Sequence, residues 1–299
     1  FGGANCEGSM GQTLRETFPQ VDRVFVGDSE ERLLAELEAL RRKTPHHIEE
    51  ENVGRGRIDD LDKLPIPDFS AYFDRLDTLA ERDRIEPGLA FETSRGCWWG
   101  MKHHCRFCGV NGDGMKFRSK SPERLIDELE ALTTRWGNNK LEAVDSILAP
   151  RLVPKLFDPL ASKDRKYEIF FQVRADMTHD QLRRVAEGGL TWVQAGVESL
   201  DSELLELMDK GVTLLENVAF LRNILEIGLR PLWYLLHGAP GERSGAFESI
   251  IDRIDWFEHL PPPVALVPIH IDRFSPYYLD PKRFGVTEIR PLEAYEHIY

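Results

Sequence analysis

Three of the chain's four cysteines lie close together, and clustered thiols are the residues here best suited to chemistry. Cys97, Cys105 and Cys108 fall within twelve residues in C-x7-C-x2-C spacing, while Cys6 stands alone. Four cysteines in 299 residues are too few for a disulfide scaffold. The cluster therefore indicates a metal site in a reducing compartment, the cytoplasm.

The spacing alone leaves three interpretations of this cluster open. Thiolates select soft or borderline metals, chiefly zinc and iron–sulfur clusters. A closed zinc site needs four ligands, and His103 or His104 could supply the fourth. A 4Fe–4S cluster held by three cysteines would instead leave one iron open to a substrate or cofactor. Buried and inert thiols are the third interpretation.

From residue 88 onward, strand-like and helical runs alternate along the chain. The strand-like runs lie at 89–93, 142–148, 168–173, 191–196, 231–236 and 264–271. The helical stretches between them lie near 121–136, 150–161, 178–187, 202–227 and 245–259. This alternation predicts a parallel α/β sheet, and six strands with five helices correspond to about three-quarters of a (β/α)8 barrel. The cysteine loop follows the first strand, at the carboxyl edge where such folds carry out chemistry.

The N-terminal region has the pattern of the tail of another α/β unit. Phe1–Asn5 is a glycine loop, Met10–Phe18 suits a helix, and Val21–Val26 suits a strand. Ser29, followed by two glutamates, predicts the N-cap of a further helix, because carboxylates favour the positive end of the helix dipole. The chain opens at a phenylalanine and stops at Tyr299 within a helical pattern, so we expect both ends to be cut from something longer.

Composition and charge exclude several classes of function. The net charge of −13 argues against binding to nucleic-acid backbones, which rewards a basic surface. No run approaches the ~18 apolar residues of a membrane span, and the start lacks a signal-peptide pattern. The densest basic spot, Lys116–Lys120, is interpreted as a solvated loop.

Short motifs along nearly the whole chain resemble, in order, those of one family. They are Glu92–Gly100, His103–Cys105, Phe107–Gly109, Asn111–Gly112, Phe117–Pro122, Asp145–Leu148, Gly196–Leu200, Met208–Val212, Gly238–Glu242 and Asp272–Tyr277. Together they look like the "RiPP maturation radical SAM protein 1" family of the radical S-adenosylmethionine superfamily. The common superfamily spacing is C-x3-C-x2-C, from which the longer first gap of this chain departs.

The resemblance implies a fold and a chemistry. The fold would be a partial (β/α)6 radical SAM barrel, preceded by the C-terminal remnant of a Rossmann-like cobalamin-binding domain. An electron from a 4Fe–4S cluster would cleave S-adenosylmethionine, and the resulting radical would take hydrogen from an unactivated carbon of a ribosomally made peptide. Methylcobalamin would then deliver a methyl group. These cofactors carry the difficult chemistry, so no side chain is assigned a catalytic role.

Cofactor roles follow from the resemblance, residue by residue. Cys97, Cys105 and Cys108 would each bind one iron of the cluster, and the fourth iron would chelate S-adenosylmethionine. Phe107 matches the aromatic residue beside the adenine, although packing within a loop also explains it. Glu198 and Ser199, at the end of the fourth strand, match the contact to the methionine or ribose part, since a carboxylate and a hydroxyl can pair with an ammonium and with hydroxyls.

Further residues at or near strand ends are candidates to line the site. They are Asp145, Gln172, Arg174, Tyr234, His237, Asp272 and Arg273. Arg174 is the best partner for the cofactor carboxylate, with a salt bridge inside the barrel as the alternative. Trp98 and Trp99 could shield the cluster, abut cobalamin or simply pack. Gly238–Gly241 provides tight backbone geometry for cofactor approach or for a turn. Tyr277 and Tyr278 could face substrate, but they are expected to pack in the core.

Cobalamin would belong to the intact parent protein. Gly2, Gly3 and Asn5 resemble the last glycine loop of the corrinoid-binding domain, where glycine lets a bulky ligand approach the backbone. Most of such a domain would precede Phe1. The expected division is a remnant of this domain at 1–50, a linker at 51–87, the barrel at 88–276 and the start of an extension at 277–299.

The expected partners are a ribosomally synthesised precursor peptide and an electron donor such as flavodoxin or ferredoxin, with no nucleic acid and no membrane. Two alternatives remain beside methylation. One is a cobalamin-independent radical modification of a peptide, such as epimerisation. The other is a zinc-stabilised binding module, which explains neither the six strands nor the position of Glu198.

Overall fold

The computed structural model describes residues 1–43, 56–110 and 115–296. The motif residues Asn111 and Gly112, the junction of the predicted remnant and linker within 44–55, and the last three residues lie outside this part. The chain divides into two compact units. The larger comprises Asp60–Phe107 and Lys116–His270, and the smaller comprises Phe1–Asp59, Cys108–Met115 and Ile271–Tyr299. The functional division at 1–50, 51–87, 88–276 and 277–299 stays a prediction.

The strands among the described residues all lie in the larger unit. In chain order they are β1 (Leu89–Phe91), β2 (Ser94–Arg95), β3 (Arg118–Ser119), β4 (Lys140–Ala143), β5 (Glu168–Arg174), β6 (Leu190–Gly196), β7 (Arg230–Leu232), β8 (Tyr234–His237) and β9 (Ala265–Pro268). β1, β4, β5, β6 and β7 form one sheet in that order, and every neighbouring pair is parallel. β8 and β9 form a second parallel pair, and a bridge from Glu198 to Leu235 connects the end of β6 with β8.

The described helices between Pro122 and Ile251 lie between strands, as the alternation predicts, and the other described helices lie before β1 or after β9. In chain order the α-helices are α1 (Ser9–Thr17), α2 (Glu30–Arg42), α3 (Ser70–Leu76), α4 (Pro122–Trp136), α5 (Asp158–Ala161), α6 (His179–Glu187), α7 (Ser202–Leu207), α8 (Leu214–Ile227), α9 (Ala246–Ile251), α10 (Pro276–Leu279) and α11 (Glu293–Glu296). Parallel strands in chain order with intervening helices are the arrangement of an incomplete β/α barrel. The predicted fold class is confirmed. None of the described helices is long and apolar enough to cross a bilayer.

The core of the larger unit lies between the sheet and its helices. The inward side chains of β1 and β5 meet there, with the rings of Phe91 and Phe171 packed edge to face at 5.7 Å. Leu125 and Leu129 of α4 are fully buried, as is Val193 of β6. Burial of this apolar surface is the main stabilising contribution to the scaffold that carries the site.

Two predicted elements are divided in the structure. The predicted strand at 231–236 changes partner at Trp233, since β7 pairs with β6 and β8 pairs with β9. The predicted helical stretch at 202–227 breaks between α7 and α8. Asp209 and Gly211 adopt left-handed backbone conformations there, with φ of 56° and 65°. Thr213 then caps α8 through a capping box, which starts a new helix.

In the smaller unit, one of three predicted elements fails. α1 and α2 confirm the two predicted helices, although Ser29 makes no capping hydrogen bond through its side chain within the described residues. The predicted strand at Val21–Val26 is wrong. This segment is coil in the part of the chain that the structure describes. It exchanges hydrogen bonds with Phe1 through the carbonyl of Arg23 and the N–H of Phe25, and an isolated bridge joins Gly27 to Gly56 just beyond it. A β-rich run becomes a strand only where a second strand satisfies its backbone groups.

Candidate active site at the carboxyl edge of the sheet

The cysteine loop starts at the carboxyl end of β1. Beyond Thr93 the chain enters β2, which pairs antiparallel with β3. In this pairing Ser94 lies opposite Ser119, and Arg95 lies opposite Arg118. The ion pair between Arg95 and Glu92, at 2.7 Å, supports the same turn. The β2–β3 pair therefore joins the two ends of the segment that carries the cysteines.

Asp145 anchors the first residues of this loop. Its Oδ1 accepts hydrogen bonds from the backbone N–H groups of Thr93 at 2.8 Å and Ser94 at 3.0 Å, and its Oδ2 accepts one from the Thr93 hydroxyl. Burial raises the pKa of Asp145 to about 6, against the opposing effect of these hydrogen bonds. Asp145 was predicted as a residue that lines the site. The structure shows it holding the cysteine loop to the sheet.

Cys97 and Cys105 come together with charged side chains from other strand ends. The Sγ of Cys97 accepts a hydrogen bond from the backbone of Gly100 at 3.2 Å. Burial raises the pKa of the Cys105 thiol. The cations Lys210 and Arg174 lie near enough to oppose this rise in pKa, whereas Glu198 and Cys97 add to it. The Cys105 thiol therefore lies within electrostatic range of side chains at the ends of β5 and β6 and in the break between α7 and α8.

Cys108 belongs by contacts to the smaller unit, although it follows Phe107 directly in the chain. Among the described residues, no group of three or more His, Cys, Asp or Glu is arranged to hold a single metal ion. A tetrahedral zinc site with metal–sulfur bonds of about 2.3 Å requires thiolates in close contact. An iron–sulfur cluster makes a different demand, because each thiolate binds its own iron.

Glu198 and Lys210 form a buried ion pair. Glu198 has a left-handed backbone with φ of 60°, which turns its side chain out of the sheet direction just after β6. The Oε1 of Glu198 lies 3.1 Å from the Nζ of Lys210, and the two side chains are 16% and 8% exposed. Burial disfavours the ammonium, but Glu198 and Cys105 outweigh it and the pKa of Lys210 is raised. The Lys210 ammonium also lies 5.9 Å from the centre of the Phe107 ring.

Arg174 ends β5 and stacks on the loop. Its guanidinium lies 3.5 Å from the centre of the Trp99 ring. Its Nε donates a hydrogen bond to Asp176 at 2.9 Å, so the salt bridge foreseen as the alternative role is present. Its Nη2 is nevertheless buried without a hydrogen-bond partner among the described residues. One edge of this guanidinium is therefore available to an acceptor.

A cavity of about 150 Å³ opens beside Arg174. Trp98, Leu148 and Met177 supply apolar walls, and Arg174 and Gln181 supply polar groups. Trp98 is fixed in this wall, since its indole N–H donates to the carbonyl of Leu148 at 3.1 Å. A mostly apolar cavity with a few directed polar groups is the usual form of a small-molecule site.

The other predicted residues of the larger unit have structural contacts. Ser199 is fully buried, and its Oγ accepts a hydrogen bond from the backbone of Asp201 at 3.1 Å. In the Gly238–Gly241 turn, the carboxylate of Glu242 accepts the backbone N–H groups of Gly238 and Ala239. His237 packs against the ring of Phe247. The cofactor contact of Ser199 stays a prediction.

The remaining strand-end candidates divide between the two units. In the larger unit, the backbone carbonyl of Gln172 accepts a hydrogen bond from the backbone N–H of Leu148 at 2.8 Å. In the smaller unit, the backbones of Asp272 and Arg273 approach Gly109 so closely that a side chain at Gly109 would collide with them. Tyr277 is buried in that unit, as the expectation of core packing requires, but Tyr278 is 37% exposed, so the expectation is wrong for that residue.

The glycine loop of the smaller unit is exposed. Gly2, Gly3 and Asn5 all face solvent. Gly3 has φ of 91°, a conformation that requires glycine, and nothing lies within 4 Å of the position of its absent Cβ. The surface is therefore open to a ligand. The assignment of these three residues to cobalamin stays a prediction.

Lys116–Lys120 was interpreted as a solvated loop, and this interpretation is wrong for the last residue, Lys120. Lys120 is 3% exposed, and its Nζ lies 2.9 and 2.7 Å from the two carboxylate oxygens of the buried Glu128. Its backbone N–H donates to the carbonyl of Thr93. The basic run instead forms β3 and joins the cysteine loop to α4.

Thiols, an open guanidinium edge and a buried carboxylate lie at the carboxyl edge of a parallel α/β sheet, the edge at which β/α-barrel enzymes carry out their chemistry. A family model described as the Radical SAM superfamily matches residues 91–254, which is more than half of the chain. The chain belongs to the Radical SAM superfamily. Membership favours the iron–sulfur interpretation of the cysteines over zinc, because the 4Fe–4S cluster and S-adenosylmethionine are the cofactors of this superfamily.

Relatives and solved structures agree with this assignment. An uncharacterised methyltransferase of Pyrococcus horikoshii is 26% identical over 201 residues, which are 66% of this chain and 42% of that protein. The cobalamin-dependent S-adenosylmethionine radical enzyme OxsB superposes with a TM-score of 0.67 at 18% identity, covering 95% of this chain and 42% of OxsB. The radical S-adenosylmethionine methyltransferase TsrM from Kitasatospora setae gives 0.66 at 15% identity, covering 86% and 53%. The chain thus spans about half the length of these proteins or less, and the structural likeness concerns the fold.

One residue of the site was missed by sequence reasoning. Lys210 lies within the Met208–Val212 motif but received no role. The signal was the Asp-Lys-Gly sequence in the middle of a helical pattern, since aspartate and glycine tolerate the left-handed backbone that ends a helix.

Proposed function

We propose that this chain is the radical SAM part of a cobalamin-dependent C-methyltransferase that acts on a ribosomally synthesised peptide. The observation that carries the proposal is that Cys97, Cys105, Arg174 and Glu198 approach one another at the carboxyl edge of a radical SAM sheet. The methyltransferase names of the relatives support methyl transfer, and OxsB supports a role for cobalamin. The peptide substrate rests on the resemblance of the motifs.

The residues present fit the two cofactors of the superfamily. Three thiolates suit a 4Fe–4S cluster with one open iron. The unpaired Nη2 of Arg174 suits a carboxylate, and the adjoining cavity suits the apolar part of a methionine. Bound together, the cluster and S-adenosylmethionine supply a carbon radical and a methyl group.

The side chains of this chain would bind, orient and exclude water. Arg174 is held flat by Trp99 and by Asp176, so its free edge has a fixed direction. Glu198 is held by Lys210 and by its left-handed backbone, and it can accept hydrogen bonds from an ammonium or from hydroxyls. Trp98, which follows Cys97 in the chain, forms one wall of the cavity.

The smaller unit would contribute to the corrinoid site. The exposed loop of Gly2, Gly3 and Asn5 offers backbone that a large planar ligand can approach. In the cell, a flavodoxin or ferredoxin would supply electrons in the cytoplasm.

The test uses the native polypeptide that contains this chain, purified anaerobically with cobalamin and reconstituted with iron and sulfide. It is incubated with trideuteromethyl S-adenosylmethionine and ribosomal precursor peptides from the same genome, and the peptides are analysed by mass spectrometry. The proposal predicts a trideuteromethyl group on carbon, and its loss in an Arg174→Gln variant that retains the cluster. In a parallel incubation in D2O, solvent deuterium at an α-carbon without methylation would contradict it in favour of epimerisation.

A further inference from the structure

A turn after α7 is clamped against the cysteine loop. The backbone N–H of Arg106 donates to the carbonyl of Met208 at 3.0 Å, and the Arg106 guanidinium donates to the carbonyl of Leu207 at 2.9 Å. On the other side of the turn, the Cβ position of Gly211 lies 2.4 Å from the Trp99 ring, so only glycine fits. The turn therefore touches the loop both between Cys97 and Cys105 and between Cys105 and Cys108.

Lys210 lies at the centre of this clamped turn. Its ammonium is 3.1 Å from Glu198, and the position of a Cβ on Gly196 would be 3.1 Å from the same nitrogen. The lysine side chain is 8% exposed, so solvent screens its charge little. Because the clamp and the ion pair fix both ends of this side chain, the ammonium has a defined position facing the loop.

A fixed, buried cation near thiolates acts on any charge they carry. Reduction of an iron–sulfur cluster adds a negative charge, and nearby positive charge stabilises the reduced form. The Lys210 ammonium lies 5.9 Å from the centre of the ring of Phe107, which stands between Cys105 and Cys108 in the chain. The Glu198 carboxylate, 3.1 Å from the same ammonium, places a charge of opposite sign beside it.

We propose that Lys210 is a positioning residue that orients Glu198 and that its buried ammonium raises the reduction potential of the cluster held by Cys97, Cys105 and Cys108. This inference rests on the cluster of the proposed function. The turn after α7 would therefore help to set the reduction potential at which the cluster accepts an electron.

The test is a redox titration at pH 7 of the reconstituted 299-residue chain without S-adenosylmethionine, followed by electron paramagnetic resonance of the reduced cluster. Lys210→Met removes the charge with little change in volume, and its potential is expected to fall. Lys210→Arg keeps the charge, and its potential is expected to stay near that of the wild type. Glu198→Gln removes the opposing charge, and its potential is expected to rise.

Lys102→Gln is the matched control, because Lys102 lies in the same loop between Cys97 and Cys105 but is exposed. Its potential is expected to be unchanged. An unchanged or higher potential in Lys210→Met would overturn the inference. If that variant holds no cluster, Glu198→Gln decides, and an unchanged potential there overturns the inference as well. A wild-type chain without a four-iron cluster would contradict the proposed function itself, and this inference with it.

Discussion

Replacement of Asp145 should separate the two roles of its carboxylate, as an acceptor of hydrogen bonds and as a buried charge. The side chain is 1% exposed and accepts the buried backbone N–H groups of Thr93 and Ser94. Asp145→Asn keeps an oxygen in the same place and removes the charge. Asp145→Ala removes the acceptor, so the N–H groups of Thr93 and Ser94 lose the oxygen to which they donate.

The structure gives the magnitude of each effect. A buried N–H group without an acceptor costs about 1–3 kcal/mol, so the two N–H groups should make the free energy of unfolding of Asp145→Ala roughly 2–6 kcal/mol lower than that of Asp145→Asn. Burial raises the pKa of Asp145 from 3.8 to about 6. At 1.36 kcal/mol per pKa unit, the ionised form costs the folded state about 3 kcal/mol above pH 6. Asp145→Asn removes this cost and should be more stable than the wild type at pH 7 by about 1–3 kcal/mol.

The sign of the pH dependence follows from the direction of the shift. The folded pKa lies above the unfolded value, so the folded state binds more protons between pH 3.8 and about 6. Stability from this group is complete below pH 3.8 and is lost as the pH rises to about 6. The advantage of Asp145→Asn should therefore grow between pH 4 and pH 6 and be constant above.

Urea unfolding of the cluster-free chain, followed by tryptophan fluorescence at several pH values, measures this difference. The burial argument is refuted if Asp145→Ala is as stable as Asp145→Asn, or if Asp145→Asn is less stable than the wild type at pH 7. A difference between Asp145→Asn and wild type that does not change from pH 4 to pH 7 would refute the assigned burial cost.

Two further substitutions test the scaffold of the loop by the same unfolding assay. Gly211→Ala should lower the free energy of unfolding by more than the ~1–2 kcal/mol that a left-handed alanine costs, because its Cβ would lie 2.4 Å from the Trp99 ring. Gly228→Ala is the matched control, since Gly228 has φ of 85° and no atom within 4 Å of the Cβ position, and it should cost only the backbone strain. Equal losses would show that the ring moves freely. Lys120→Met should cost about 3 kcal/mol by leaving the fully buried Glu128 carboxylate without its closest cation, and a second change, Glu128→Leu, should restore most of it. A double variant less stable than Lys120→Met would contradict the burial argument.

The sequence supports the fold well because its signals are local. Alternating strand and helix patterns predict the order of the parallel strands β1 and β4 to β9, with β7 and β8 as one strand, and the position of Cys97 after β1 follows from that order; the short strands β2 and β3 are not predicted. The spacing of Cys105 and Cys108 predicts the cluster loop without knowledge of any tertiary contact. Each of these conclusions depends only on neighbouring residues.

Features that depend on contacts between distant residues were not predicted. The helical pattern continues across Asp209 and Gly211, so only their left-handed backbone reveals the turn that presents Lys210. Lys120 looks like a surface residue until Glu128 is brought beside it. The anchoring role of Asp145 likewise depends on the parallel pairing of β1 with β4, which brings residues 52 positions apart together.

The central claim is that Cys97, Cys105 and Cys108 hold a 4Fe–4S cluster that cleaves S-adenosylmethionine. The most direct measurement is anaerobic reconstitution of the chain with iron and sulfide, addition of dithionite and S-adenosylmethionine, and assay of 5′-deoxyadenosine. We predict four irons per chain and production of 5′-deoxyadenosine that disappears in Cys105→Ala but persists in Cys6→Ala. A chain that binds zinc without sulfide, or a Cys105→Ala variant that still cleaves S-adenosylmethionine, would contradict the account.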